Sequence, residues 1–284
     1  MAYTQLKPRH TKDASVEEIS HDSSHYLLSI PAGNADQYRL AQLDDYAQLR
    51  RGRFPLHPPQ SLRLSARTSS DSIPGTWGFG LWNDPFGLSL GFGGRPFRLP
   101  ALPNAIWFFG ASEENYLSFK AQSHFGQSGD PVANGFIAQV FRSPGFHAQL
   151  IPAGLALPFS RKTTRRVLGN VIEEDGVQLW NPAARQEHNL PGSRAPGLHK
   201  IDPTQWHKYQ IDWRQERVSF QVDDVLVLET LVSPRPPLGL VIWIDNQYAA
   251  FTPEGKIGFG VLENPEPAWL EIKDLEITSA ASSA

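Results

Sequence analysis

Hydrophobic and polar residues alternate along most of this chain with a period of two, the pattern of β-strands that bury one face. The alternation is clear over Ser61–Thr68. It recurs between Trp206 and Glu229, where two alternating runs flank the charged segment Arg214–Arg217. Two such runs joined by a turn predict a β-hairpin. Further strands are predicted over Tyr26–Ile30, Gln37–Leu43, Thr76–Asp84, Ala105–Phe109, Tyr116–Ala121, Phe136–Phe141, Gly239–Tyr248, Lys256–Leu262 and Ala268–Ile277.

One segment has a helical pattern instead. Ser160–Ile172 carries an apolar stripe after a capping serine, and Glu173–Gly176 is expected to end it. The residues before Tyr26 show no apolar periodicity. We therefore expect a flexible N-terminal tail over residues 1–23, a single β-sandwich domain over 24–279 and a flexible C-terminal tail over 280–284. The Pro- and Gly-rich segments 85–103 and 181–204 are expected to be long loops.

Composition supports an all-β chain and narrows its partners. The 284 residues include 24 prolines and 23 glycines, which interrupt helices and supply turns. The formal net charge of -3 argues against a nucleic-acid partner. The chain has no cysteine, so a disulfide framework, a thiolate metal site and a cysteine nucleophile are excluded.

No apolar run has the length of a signal peptide core or of a membrane span. The sequence as written therefore predicts a soluble, cytoplasmic protein without a membrane partner. It would be secreted only if a leader has been removed. The oligomeric state stays open.

Three segments carry motif-like patterns in a fixed order. Pro74–Trp82 reads P-G-T-W-G-F-G-L-W, Trp206–Asp224 begins W-H-K-Y-Q-I-D-W, and Ala268–Ile277 is an alternating closing strand. In this order they resemble segments of the concanavalin A-like lectin and glucanase superfamily, best known in family 16 glycoside hydrolases. The resemblance extends over most of residues 25–278. It implies a concanavalin A-like jelly-roll β-sandwich with one short inserted helix, and a polysaccharide or oligosaccharide partner.

The catalytic signature of that family has no counterpart here. Family 16 enzymes carry Glu-x-Asp-x-(x)-Glu on the strand that Asn104–Phe109 best matches, and this segment contains no carboxylate. Glu113 and Glu114 are adjacent, so on an extended strand they would point to opposite faces. The resemblance therefore implies a carbohydrate-binding protein without the usual retaining hydrolase activity. Two alternatives stay open: a hydrolase or lyase with a non-standard catalytic set, and a non-catalytic scaffold protein.

The candidate site residues are aromatic and polar side chains on or after strands. Trp77, Trp82, Trp107 and Trp243 are candidates for stacking on sugar rings, and core packing is the other interpretation. Asn83, Asp245, Asn246, Gln247 and Tyr248 follow or end apolar runs, where they are candidates for hydrogen bonds to sugar hydroxyls; ordinary turn chemistry is the alternative, particularly for Asn83.

An unconventional enzyme would need two carboxylates that converge on one bond. For that role the candidates are Asp44, Asp84 and Asp245. Neither a cofactor nor a metal site is predicted. The side-chain oxygens at the strand ends also suit calcium, and the resemblance to the concanavalin A-like fold implies calcium as a weak possibility.

Overall fold

The computed structural model describes residues 6–85, 101–119, 134–144, 167–181, 201–252 and 256–279. Within these ranges the regular structure consists almost entirely of strands. They are β1 (Lys7–His10), β2 (Ser15–Ser20), β3 (His25–Ile30), β4 (Leu40–Asp44), β5 (Gln60–Thr68), β6 (Thr76–Trp82), β7 (Ala105–Ala111), β8 (Gly135–Arg142), β9 (Glu173–Trp180), β10 (His207–Trp213), β11 (Val218–Val222), β12 (Val225–Thr230), β13 (Gly239–Asp245), β14 (Gln247–Phe251), β15 (Ile257–Val261) and β16 (Ala268–Thr278).

The strands form two large antiparallel sheets and one small one. The first sheet has seven strands in the order β1-β4-β13-β6-β7-β8-β9, and the second has seven in the order β12-β11-β10-β5-β16-β3-β2. The third is the β14–β15 hairpin. Both large sheets place strands from the two ends of the chain side by side. This topology confirms the predicted all-β sandwich.

The core lies between the two large sheets, as the period-two alternation predicts. Phe79 and Phe108 point from the first sheet toward Tyr209 and Phe220 of the second. The ring centroids of Phe79 and Tyr209 are 5.1 Å apart, and those of Phe108 and Phe220 are 5.3 Å apart. Trp213 is fully buried in the same layer. Burial of these large rings is the main source of stability of the sandwich.

The hairpin predicted between Trp206 and Glu229 is confirmed, and a third strand follows it at the end of the same segment. β10 pairs with β11 in antiparallel register, with Tyr209 opposite Val222 and Trp213 opposite Val218. Asp223 and Asp224 then adopt φ angles of 50° and 62°, the left-handed conformation of a tight hairpin turn. The chain therefore returns at once as a third strand, β12.

Several segments differ from the prediction. Residues 7–20 form β1 and β2, so the prediction of a flexible tail over residues 1–23 is wrong there; β1 pairs with β4, and β2 pairs with β3. Strands at sheet edges need little apolar periodicity, because one edge and one face remain near solvent. β9 occupies Glu173–Trp180, where a helix end was expected. Its inner neighbour β8 supplies the pairing that the local sequence does not reveal.

Helical structure is sparse in the described ranges. A helical turn over 167–171 coincides with the end of the predicted helix, whose earlier residues 160–166 lie outside the described part. A single 3-10 turn forms at Arg51–Arg53. Tyr116 forms an isolated bridge with Ala250 rather than starting a strand. Within the described residues no helix combines the length and apolar character required to cross a bilayer.

Candidate functional site

The outer face of the first sheet, which points away from the second sheet, carries the aromatic and polar residues of the candidate site. Side chains along β13 alternate between the two faces of the sheet. Ile242 and Ile244 enter the inter-sheet core, whereas Val241 and Trp243 belong to a separate apolar cluster on the outer face. The outer face is defined by side chains from six strands: Gln42, Asp44, Thr76, Trp82, Trp107, Phe109, Gln139, Phe141, Glu174, Trp243 and Asp245.

Three tryptophans form the centre of this face, and we call Trp82, Trp107 and Trp243 the indole cluster. Trp82 and Trp243 stack almost in parallel, with centroids 6.0 Å apart and an interplanar angle of 5°. Trp107 lies 6.1 Å from Trp82 and 5.8 Å from Trp243. Trp107 and Trp243 are 3% and 6% exposed, whereas Trp82 is only half-buried. The cluster thus has two buried rings, Trp107 and Trp243, and one partly exposed ring, Trp82.

Two glycines of β6 make room for the indole cluster. A Cβ atom on Gly78 would lie 2.9 Å from Cη2 of Trp243, and one on Gly80 would lie 2.8 Å from Cβ of Trp107. Both distances are shorter than a normal carbon–carbon contact. The T-W-G-F-G-L-W sequence of β6 is therefore matched to the large rings on the two neighbouring strands.

Amide side chains flank the cluster on both sides. Gln42 stands opposite Trp243 in the sheet register, and its Nε2 donates to Asp44 Oδ2 at 2.8 Å. Gln139 stands opposite Trp107, whose Nε1 donates to Gln139 Oε1 at 3.3 Å. Both amides are at least nine-tenths buried. In the described part of the chain, Gln42 Oε1 and Gln139 Nε2 have no hydrogen-bond partner, so one acceptor and one donor beside the indoles remain available.

A buried hydrogen-bond chain orients Trp243. Its Nε1 donates to Thr76 Oγ1 at 2.9 Å, and Thr76 Oγ1 donates to Asp245 Oδ1 at 2.7 Å. The Tyr38 hydroxyl donates to Asp245 Oδ2 at 3.1 Å. Burial raises the pKa of the Asp245 carboxyl to about 6, and these hydrogen bonds limit the shift. The aspartate therefore positions the indole through Thr76 on the same face of the sheet.

Asp44 and Asp45 hold the turn that follows β4. Asp44 is fully buried; its Oδ1 accepts from the backbone N–H groups of Tyr46 and Ala47, and its Oδ2 lies 3.6 Å from the Arg9 guanidinium. Asp45 Oδ1 accepts from the Leu240 backbone N–H at 2.9 Å. Burial raises the pKa of Asp45 to about 7, and the neighbouring charge of Asp44 adds to the rise. Both carboxylates have structural partners.

Two of the candidate catalytic carboxylates, Asp44 and Asp245, lie far apart along the sheet. Asp44 stands opposite Val241, so four residues of β13 separate it from Asp245, which corresponds to roughly 14 Å. Glycosidases place their two carboxylates roughly 5 to 10 Å apart. Asp84 is half-buried in a turn with a φ angle of 48°, and its carbonyl accepts from Arg51 Nη2. On β7, the residues that face outward are Ala105, Trp107 and Phe109.

Three of the predicted ligand residues have other environments. Trp77 points into the inter-sheet core and stacks on Phe136 at 4.8 Å, so its assignment to a ligand groove is corrected. Asn83 bonds the backbone of Leu102 and Asn104, which fits the turn interpretation. Asn246 is fully buried, and both ends of its amide bond backbone groups, such as the Arg39 N–H.

Two further candidates lie beyond the end of the indole cluster. Gln247 and Tyr248 begin β14, and the Tyr248 ring packs against Gly258 and Gly260 of β15. No group of three or more metal-ligating side chains occurs among the residues that the structure describes. The sequence analysis did not identify Tyr38, Gln42, Thr76 or Gln139 as site residues. For Gln42, Thr76 and Gln139, the alternation of faces along their strands was the only sequence pattern that could have indicated this role.

Sequence comparisons assign no family to this chain. No family model and no curated protein sequence matches it. Among solved structures, a family 16 endo-glucanase from Bacteroides ovatus is 11% identical with a TM-score of 0.42, and the match covers 98% of this chain and 96% of that one. A legume lectin-like domain from Entamoeba histolytica is 10% identical with a TM-score of 0.41, covering 97% and 90%.

A third solved structure is a GlcNAcα1-4Gal-releasing endo-β-galactosidase from Clostridium perfringens, at 10% identity and a TM-score of 0.39. The match covers 94% of this chain, which spans 58% of that enzyme. These structures include hydrolases and a lectin-like domain. At such identities and TM-scores, the similarity assigns no activity to this chain.

Proposed function

We propose that this chain is a carbohydrate-binding protein that holds a glycan on the outer face of its first sheet. The observation that carries the proposal is the stack of half-buried Trp82 on buried Trp243, with an interplanar angle of 5°. An indole that is fixed by stacking and partly exposed to solvent is a rigid platform for the apolar face of a sugar ring. Trp82 is the residue that contacts the sugar ring.

The fixed orientation of Trp82 supports this role energetically. Trp243 stacks beneath it, and Tyr46 contacts it edge-on with centroids 6.2 Å apart. Tyr46 itself packs on Phe54 at 4.7 Å. Because these neighbours already restrict the ring in the free protein, little side-chain entropy is lost when a ligand binds. The Trp82 ring is therefore preorganised for binding.

The amide groups supply the polar half of the site. Gln42 Oε1 accepts hydrogen bonds and Gln139 Nε2 donates them, and neither has a partner in the described residues. A sugar hydroxyl both donates and accepts, so the two amides suit two hydroxyls of one glycan. A ligand hydroxyl at either amide would make a hydrogen bond that the described residues do not provide. Both groups flank the indole cluster in the sheet register.

Binding without the retaining reaction is the activity that the carboxylates favour. Asp44 already accepts from two backbone N–H groups and from Gln42. It lies roughly 14 Å from Asp245, too far for both to act on one glycosidic bond. The outward residues of β7 are apolar or aromatic. We therefore assign to this face recognition of a glycan and no bond cleavage.

Glycan-array binding and depolymerisation by wild-type protein and Trp82→Ala test the proposal. The wild type should bind at least one glycan and release no oligosaccharides, and Trp82→Ala should lose about tenfold in affinity. Phe259→Ala is the matched control, because Phe259 is an aromatic residue 51% exposed on β15. Equal binding by Trp82→Ala, absence of any bound glycan, or released oligosaccharides would contradict the proposal. A circular-dichroism melt confirms that each variant is folded.

A further inference from the structure

The outer face of the second sheet carries a separate aromatic and cationic surface. Arg67 of β5 lies between two indoles, with its Cζ 4.8 Å from the ring centroid of Trp206 and 5.4 Å from that of Trp269. Lys273 Nζ lies 4.4 Å from the Trp206 centroid. We call Arg67, Trp206, Trp269 and Lys273 the indole–cation surface. Both tryptophans are half-buried, so part of each residue is exposed to solvent.

Strand pairing places these side chains on one face. Arg67 stands opposite Glu271 in the β5–β16 register, and Ser65 stands opposite Lys273. Leu64 and Ala66 alternate with them and enter the inter-sheet core. The surface therefore faces away from the first sheet. Since packed sheets are roughly 10 Å apart, it is separate from the indole cluster, and the two can be altered independently.

The charges on this surface do not balance. Glu271 Oε2 accepts from Arg67 Nε at 2.7 Å, and Glu271 Oε1 contacts His25 Nε2 at 2.8 Å, so the Arg67 charge is offset. These hydrogen bonds lower the pKa of Glu271 despite its partial burial, which alone would raise it. Lys273 has no carboxylate within ion-pair distance among the described residues, and the Trp206 ring holds its ammonium. One positive charge therefore stays uncompensated beside an accessible indole.

We propose that the indole–cation surface is a second glycan site, which takes an acidic sugar residue. The apolar face of the sugar packs on the accessible side of Trp206, and its carboxylate or sulfate pairs with Lys273. Arg67 is already paired with Glu271, so its role is to hold the two indoles apart by cation–π contacts. A neutral sugar would leave the Lys273 charge without a partner, so the site discriminates in favour of acidic residues.

The site goes beyond binding on the first sheet and does not depend on it. A cation held against a ring loses little freedom when an anion arrives, which favours pairing over an unrestrained surface lysine. The neighbouring cation Lys208 differs, because its Nζ is already paired with Asp224 at 2.8 Å. Among these two lysines of the second sheet, Lys273 is the one available to a ligand.

Titration of the full chain with trigalacturonate, a sulfated galactose disaccharide and neutral galactotriose tests the proposal by calorimetry. The wild type should bind an acidic probe more tightly than galactotriose, and the probe that binds identifies carboxylate or sulfate as the recognised group. Lys273→Gln should weaken acidic binding about two- to fivefold. Trp206→Leu should weaken it about three- to tenfold.

Two controls separate this site from the first one. Lys12→Gln removes an exposed charge in the turn between β1 and β2 and should leave acidic binding unchanged. Trp82→Ala removes the sugar-contacting ring of the other sheet, so the acidic binding that remains in this variant reports on the indole–cation surface. The proposal is overturned if neither acidic probe binds, if galactotriose binds Trp82→Ala as tightly as the acidic probe does, if Lys273→Gln binds as the wild type does, or if Trp82→Ala alone abolishes binding. Lys273→Gln keeps both indoles in place, so loss of fold does not obscure its result.

Discussion

The indole N–H of Trp243 donates to the Thr76 hydroxyl across neighbouring strands at 2.9 Å, and that hydroxyl donates in turn to Asp245. One threonine thus links the buried ring of the indole cluster to a buried carboxyl group. Because Thr76 and Asp245 stand opposite each other in the β6–β13 register, the sheet itself fixes this geometry. The orientation of the Trp243 ring therefore depends on these two hydrogen bonds.

Thr76→Val should destabilise the protein and loosen Trp243. Valine matches the shape of threonine but cannot accept from the indole or donate to the carboxyl group. Leaving buried partners unsatisfied should lower the free energy of unfolding by about 1 to 3 kcal/mol, measured by urea denaturation. Thr76→Ser keeps the hydroxyl and is the control. If Thr76→Val were as stable as Thr76→Ser, the hydrogen-bond chain would not hold the indole.

Asp245 should make stability rise as the pH falls through about 6. Its native pKa is about 6, above the ordinary value of 3.8, so the folded chain takes up a proton before the unfolded chain does. The contribution to the free energy of unfolding therefore grows between about pH 6 and pH 4. Urea denaturation of wild type and Asp245→Asn across this range isolates it. A constant difference between the two proteins from pH 7 to pH 4 would refute the raised pKa.

Asp45→Asn should stabilise the protein at pH 8. The asparagine keeps an oxygen for the Leu240 N–H but removes a charge whose burial raises the native pKa to about 7. We expect a gain of roughly 1 to 3 kcal/mol in the free energy of unfolding at pH 8. The gain should shrink as the pH falls below 7 and vanish below about pH 3, where the carboxyl group is protonated in both states of the wild type. A gain that is independent of pH would point to packing instead of charge.

Gly78→Ala should disturb the indole cluster from β6. The added Cβ would lie 2.9 Å from Trp243 Cη2 and would clash with the Phe108 carbonyl oxygen. We expect a loss of about 1 to 3 kcal/mol in the free energy of unfolding and a change in tryptophan emission. Gly52→Ala is the matched control, since nothing lies within 4 Å of its added Cβ. Equal stability of the two variants would mean that Gly78 does not make room for Trp243.

Local alternation was sufficient to predict the central strands. It failed for β1, β2 and β9, because pairing with β4, β3 and β8 rather than local pattern makes these segments strands. Trp77 and Trp82 are five residues apart, so on a regular strand they must point to opposite faces; the period of two already separated the core residue from the site residue.

The polar part of the site was harder to predict. Gln42 and Gln139 become site residues only because Trp243 and Trp107 stand opposite them on neighbouring strands. Such cross-strand neighbours are far apart in the sequence. Burial of the outer face also has no local signal, since it arises from a second apolar cluster that includes Tyr46, Phe54 and Ile172.

The most direct test of glycan binding on the first sheet follows the indole N–H signals in a proton–nitrogen correlation spectrum. The chain has 8 tryptophans, so each ring reports separately once single substitutions have assigned its signal. On addition of a neutral glycan identified by the array, we expect the largest shift at Trp82, smaller shifts at Trp107 and Trp243, and none at Trp77 in the inter-sheet core. An unchanged Trp82 signal in the presence of a bound glycan would contradict the assignment of the outer face as the binding site.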